Sequence, residues 1–202
     1  MMGAIQAGGR SSRMGEDKAW LILDGRPMIE RVLAAARPVA DRLAIVINAS
    51  SPHPEAYQQL AARWDVMLLH DLYEHRGPLG GIHTALAHCA ADEPALVLAC
   101  DLPFLTAEFL ALLCQLHQTA ASDVTVPLDQ SNRVQPLAAI YAGSCREIIA
   151  EMISRHQLRV DQLYSRVATR QVAFNEIAHL PNAERFFVNI NTPEEYRAVA
   201  DH

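Results

Sequence analysis

The sequence predicts an α/β chain: a single-domain three-layer α/β/α sandwich with a Rossmann-like, mostly parallel sheet and an antiparallel element in its C-terminal half. Three observations lead there. Short apolar runs alternate with longer segments of helical period, and that interval implies βαβ units. The apolar runs are nearly continuous, as expected of strands covered by helices on both faces. After residue 120 the rhythm changes to two strand-like runs flanking a polar turn.

The elements follow in order. Gly3–Ala7, Leu43–Asn48, Val66–His70 and Ala95–Cys100 read as four strands. Pro27 suits a first helical position, and Met28–Ala36 carries Ile29, Val32, Leu33 and Ala36 on one face. Pro54–Trp64 and Leu79–Ala91 have the same period. Thr106 is the expected N-cap of a helix over Glu108–His117, whose face holds Phe109, Leu112, Leu113 and Leu116. Asp123–Pro127 and Val134–Tyr141, on either side of Asp129–Arg133, predict a hairpin. Pro136 cannot donate to a ladder, so its strand is expected at an edge or bulged. A helix near Ser144–Arg155 precedes a less regular stretch to Arg170. Phe186–Asn189 is the expected last strand, and Thr192, Pro193 and Glu195 form a capping box for a terminal helix. With no repeat or linker, residues 1–202 read as one domain, nucleotide-binding over about 1–120 and acceptor-binding over about 121–202.

Composition narrows the function. A chain of 202 residues, half of them hydrophobic, buries enough surface to need no staple, roughly 70% of what it exposes unfolded. Its net charge of −6 argues against nucleic acid or an anionic membrane as partner. The longest apolar runs fall far short of a bilayer span, and the N-terminus lacks the charge and apolar core of a signal peptide. Cys89, Cys100, Cys114 and Cys145 have no metal-binding spacing and read as free thiols of a cytoplasmic protein.

Two loops carry the chemistry. Six of the nine glycines fall in them: Gly8, Gly9 and Gly15 after the first strand, Gly77, Gly80 and Gly81 after the third. Glycine lets backbone N–H groups approach phosphate oxygens closely. Loops at the carboxyl ends of parallel strands share one edge, where ligands bind. The first loop is neither a P-loop nor GxGxxG. It reads AGG-x3-RMG-x2-K and holds Lys18, the one lysine among the seventeen lysines and arginines. Arg13 offers a planar fork for phosphate oxygens, whereas Lys18 is a flexible point charge able to follow a moving one.

Ala7-Gly8-Gly9, Arg13-Met14-Gly15 and Lys18 together resemble the signature of the MobA-like nucleotidyltransferases, most closely the molybdenum cofactor guanylyltransferases. Further matches run in order along the chain: Asn48, Asp71, GPLGG at 77–81, CDLP at 100–103, QPL at 135–137 and NINTPEE at 189–195. Gln6 stands where that family has an aliphatic residue bordering the nucleotide. The resemblance implies transfer of GMP from GTP to the phosphate of molybdopterin, with pyrophosphate as the other product and Mg2+ as cofactor. It implies nucleotide contacts from Gln6, Ala7, Gly8, Gly9, Gly15, Lys18, Asn48, Asp71 and Asp101, and acceptor contacts from Gly77, Gly81, Asn189 and Asn191. It also makes transient contact with cofactor-biosynthesis proteins or molybdoenzymes plausible.

The catalytic group is then Arg13, Lys18 and Asp101, with Asp101 as the metal ligand. Magnesium commonly takes one or two carboxylates together with substrate phosphates. A plainer role for Asp101, capping the next helix, is already filled by Thr106. For Asn189 and Asn191 a strand end and helix cap is an equally good reading. Arginines 146, 155, 159, 166 and 170 suit an acceptor phosphate, yet Glu147, Glu151 and Asp161 among them favour a solvated face. The cluster from His70 to His75 lacks zinc spacing and reads as loop polarity. Two other functions use the same loop: cytidylyl transfer to molybdopterin or another phosphorylated acceptor, and non-catalytic nucleotide binding by a regulatory protein.

Overall fold

The computed structural model describes residues 1–7, 17–190 and 195–196. One seven-stranded sheet organises them. β1 (Met2–Gln6) is followed by a 3-10 turn at Lys18–Trp20 and a small hairpin of β2 (Ile22–Leu23) and β3 (Arg26–Pro27). Then come α1 (Met28–Ala36), β4 (Arg42–Ile47), α2 (Pro54–Trp64), β5 (Met67–His70), α3 (Pro78–Ala87), β6 (Ala95–Ala99) and α4 (Ala107–Ala120). The second half adds β7 (Val124–Pro127), β8 (Ala138–Tyr141), α5 (Cys145–Ser154), α6 (Asp161–Tyr164), β9 (Thr169–Val172) and α7 (Phe174–Ile177).

The sheet order is β5-β4-β1-β6-β8-β7-β9, and β8 alone runs against its neighbours. Register places the site. Gln6 pairs with Val46 on one side and Ala99 on the other, and Ile47 pairs with His70. Four parallel strands therefore end level, and Ala7, Asn48, Asp71 and Cys100 leave from one edge. Because β8 is reversed, its start lies at that same edge, where the Leu137 carbonyl accepts from Ala99 N at 2.8 Å.

Alternation along the strands divides the core between two faces. Ile5, Ile45, Leu96, Leu98 and Ile140 meet α1, α2 and α4 on one side. Ala4, Val46, Val97, Val126 and Tyr141 meet α3 and α5 on the other. Such two-sided cover is why the strand sequences look uniformly apolar. α4 starts where expected: Thr106 Oγ1 accepts from Phe109 N at 3.2 Å, a cap worth about 1 kcal/mol.

Several sequence expectations need correction. Pro27 is the residue before α1, paired in β3, and not its first position. Gly80 and Gly81 lie within the first turns of α3 rather than in a loop, and that helix stops at Ala87. The strand expected over Val134–Tyr141 narrows to β8, with one isolated bridge left between Val134 and Leu128. It is an interior strand, and Pro136 stands clear of the ladder before it. Phe186–Asn189 forms no strand: Phe186 is fully buried after a 3-10 turn at Ala183–Arg185. The last strand is β9, parallel to β7, from the stretch that reads as irregular. An edge strand covered on one side tolerates Arg170 and Gln171, so its sequence carries no apolar signal. The capping box at Thr192 lies outside the described residues.

Candidate active site

β1 delivers Gln6 to the sheet edge, and α3 receives it. The Gln6 side-chain amide donates to the Pro78 carbonyl at 3.3 Å and lies over Gly81. A Cβ at position 81 would stand 2.4 Å from the Gln6 amide carbon, so glycine is what lets the helix approach the strand end. One residue earlier, a Cβ on Gly80 would meet the Tyr73 carbonyl at 2.7 Å and an Asp71 carboxylate oxygen at 2.8 Å. Gly77 precedes α3 at φ 60°, a backbone setting that favours glycine.

Asp71 is held on all sides. Its N–H donates to the Ile47 carbonyl at 2.8 Å, and its Oδ1 accepts from Thr84 Oγ1 and Tyr73 N, each at 3.0 Å. Asn48 ends β4 next to it, partly buried. Glu74, which the sequence offers only as part of the polar run from His70 to His75, ties the two strand-end loops together by accepting from Ala49 N at 2.6 Å.

The glycine loop can be followed from both ends. Gly8, Gly9, Arg13 and Gly15 lie outside the described residues, but Ala7 and Asp17 on either side are both buried. Asp17 Oδ1 accepts from Ala19 N at 3.2 Å and caps the 3-10 turn that Lys18 begins. Its Oδ2 accepts from the Tyr57 hydroxyl at 2.6 Å. Lys18 lies close enough to the end of β6 for its charge to act on Asp101. Burial holds the Asp101 carboxyl above its ordinary range, and the nearby Lys18 ammonium pulls it back down. Burial pushes the Cys100 thiol far up, with the Asp101 and Asp17 charges adding to it, so it stays a protonated thiol and no nucleophile. Lys18 and Asp101, 83 positions apart in the chain, thus share one electrostatic site.

The C-terminal segment closes over this corner. Ile190 is fully buried with Leu23 and Met28, and Phe104 and Tyr196 pack on the same cluster. The Tyr196 hydroxyl donates to the Ile22 carbonyl, and the Arg185 guanidinium sits 4.1 Å from the Phe104 ring centre. Asn189, one residue before Ile190, is exposed. Asn191 lies outside the described residues. Arg155 and Arg166 both pair with Glu151, Arg159 with Asp161 and Arg170 with Glu176, which fits the solvated face read for them. Sequence reasoning missed Asp17 and Tyr57, and took Glu74 for loop polarity. Only the run of charge before Lys18 hinted at the first.

A level edge of parallel strands, joined there by a glycine loop, a lysine and a partly buried carboxylate, defines an α/β nucleotidyltransferase. The MobA-like NTP transferase domain matches residues 3–172, and the chain belongs to that family. It is 34% identical over 196 residues to a protein of Carboxydothermus hydrogenoformans named probable molybdenum cofactor guanylyltransferase, covering 97% of this chain and 93% of that one. A molybdenum cofactor guanylyltransferase of Desulfosudis oleivorans is 34% identical, over 96% of this chain and 91% of its own. Among solved structures, the molybdopterin-guanine dinucleotide biosynthesis protein A of Archaeoglobus fulgidus superposes with a TM-score of 0.83 at 25% identity, over 100% of this chain and 97% of that one. Among the described residues, no helix is long and apolar enough to cross a membrane.

Proposed function

We propose that the chain transfers GMP from GTP to the phosphate of molybdopterin, forming the guanine dinucleotide cofactor and pyrophosphate. The observation that carries this reading is the meeting of Lys18 and Asp101 at the edge where the glycine loop leaves β1. The named activity of the guanylyltransferase relatives supplies the base and the acceptor.

A phosphate oxygen of the acceptor attacks the α-phosphorus of GTP, and the bond to the bridging oxygen of the β-phosphate breaks with its electron pair. The attacking phosphate is already ionised near neutral pH, so the protein contributes position and charge rather than a general base. Lys18 and Arg13 balance the charge that grows on the departing pyrophosphate. Gly8, Gly9 and Gly15 present backbone N–H groups to the triphosphate, and Ala7, whose own N–H donates to the Val46 carbonyl at 2.9 Å, leads the chain into that loop. Gln6, Asn48 and Asp71 border the nucleoside. The acceptor lies toward Gly77, Gly81, Asn189 and Asn191: residues up to about 120 hold the nucleotide, and the segment from about 121 to 202, together with the turn at Gly77–Gly81, holds the pterin. A groove of about 330 Å3 between Pro78, Pro136 and Tyr164 opens on that side. Gly81 serves it indirectly, by seating Gln6.

Asp101 fits Mg2+. It is one partly buried carboxylate at the phosphate edge, and among the described residues no group of three or more His, Cys, Asp or Glu forms a protein cage. Such a donor set suits an ion that takes its remaining ligands from water and phosphates. The ion supplies neutralising charge to the triphosphate. We assign the reaction to the cytoplasm, with delivery of product to molybdoenzyme partners by transient contact.

The test is pyrophosphate release with molybdopterin and each of GTP, CTP, ATP and UTP, with and without magnesium, for the wild type and Asp101→Asn. Release with GTP that needs magnesium and falls about 100-fold or more in the variant supports the assignment. CTP preference would make the chain a cytidylyltransferase. Tight nucleotide binding without release would make it a regulatory nucleotide sensor.

A further inference from the structure

The glycine loop departs from Ala7 and returns at Asp17, and one side chain from a distant helix touches both ends. Tyr57, on the first turn of α2, is fully buried. Its hydroxyl donates to Asp17 Oδ2 at 2.6 Å and stands 3.5 Å from the Ala7 carbonyl oxygen. The Trp20 ring packs on the Tyr57 ring with centroids 5.1 Å apart, holding the far side of the Lys18–Trp20 turn. Asp17 spends its other oxygen on Ala19 N. A buried carboxylate engaged at both oxygens has little freedom left, and Lys18 is the next residue.

We propose that Tyr57 and Asp17 are positioning residues of the transfer reaction: the Tyr57 hydroxyl closes the base of the glycine loop and, through Asp17, aims Lys18 at the phosphates beside Asp101. The inference rests on the role given to Lys18 above. Neither residue reaches the reacting atoms. Their effect is to remove the freedom of a four-carbon side chain whose charge must be in place when the bond to pyrophosphate breaks, and a displacement of about 1 Å at such a group can cost 100-fold in rate. The Tyr57 hydroxyl keeps its proton throughout, because burial and then the neighbouring Cys100 and Asp17 push its ionisation far up. It is a permanent donor.

Steady-state kinetics of the full chain with GTP, magnesium and molybdopterin test this in Tyr57→Phe, Asp17→Asn, Lys18→Ala and the double variant Tyr57→Phe/Lys18→Ala, each checked for folding by urea unfolding. Tyr57→Phe keeps the ring and removes only the donor. Its kcat is expected to fall about tenfold or more while KM for GTP moves less than about threefold, since the lost interaction acts mainly in the transition state. Asp17→Asn, which keeps an oxygen for Ala19 N, is expected to fall less, and it carries the test if Tyr57→Phe does not fold. The double variant should be no slower than Lys18→Ala alone, because two groups acting through one lysine are not additive. A purely structural tyrosine would lower the urea midpoint and leave that coupling at zero. If Lys18→Ala loses most of its turnover while the folded Tyr57→Phe or Asp17→Asn stays within about twofold of wild type, the positioning role is overturned and the assignment of Lys18 stands. If Lys18→Ala itself turns over normally, both fall.

Discussion

An alanine at position 81 would place its Cβ 2.4 Å from the Gln6 amide carbon and 2.5 Å from the Gln6 nitrogen. Something must move, and the side chain that moves also holds Pro78. Gly81→Ala is expected to cost about 1 kcal/mol in urea unfolding, the loss of the Gln6–Pro78 hydrogen bond as the flexible end of Gln6 swings away. The same substitution in a Gln6→Ala background should cost much less, so the double-mutant cycle reports a coupling of about 1 kcal/mol. Coupling near zero would mean the strand end and the helix are independent. Gln6, the residue that departs from the aliphatic residue of the family signature, is thereby explained as a packing partner of α3.

Helices α3 and α4 each carry a histidine whose pKa folding lowers. His83 is buried on α3 with its Nδ1 lacking a hydrogen-bond partner among the described residues, and burial followed by the Arg146 charge lowers its pKa. His117, on α4, bonds Thr125 Oγ1 through Nδ1 at 2.9 Å, and burial lowers it as well. The unfolded chain binds protons at these imidazoles near the ordinary value of about 6.5, while the native chain resists them to lower pH. Stability is therefore full above that value and is lost as pH falls toward the lowered native ones. The urea midpoint should decline between pH 7 and 5, and a variant carrying His83→Gln and His117→Gln should show a flatter decline. An unchanged slope would mean other groups dominate the acid limb.

For the whole molecule, the continuous sheet is the decisive feature. β6 of the first half pairs directly with β8 of the second half, and β7 and β9 follow in the same sheet. Both tryptophans, Trp20 and Trp64, lie in the first half. Their fluorescence and the far-ultraviolet circular dichroism of the whole chain should melt together, as one cooperative transition. GTP with magnesium at about 100 times its Kd should raise both by the same amount, for about 2.7 kcal/mol of added stability. Separate transitions would divide the chain into two folding units.

Local pattern carried much of this. Met28–Ala36 and Pro54–Trp64 are helices over the predicted spans because each buries one face at a period of 3.6. The four parallel strands follow from uniformly apolar runs, and the rule that their carboxyl ends share an edge brought Lys18 and Asp101 together before any coordinates. β9 was illegible because an edge strand needs little apolar sequence. The start of α3 is legible to within one residue, but Gly80 and Gly81 suggest a loop until Gln6 and Asp71 are seen to occupy the space beside them.

What the sequence by itself determined is the class: the layered α/β sheet and the family signature. What only the tertiary structure decided is how those residues are held. Asp17 and Tyr57 are 40 positions apart, and Gln6 and Pro78 are 72 apart. Neither contact leaves a periodic trace, because hydrogen bonding and close packing depend on where the sheet brings two side chains, and periodicity records only which face each residue buries.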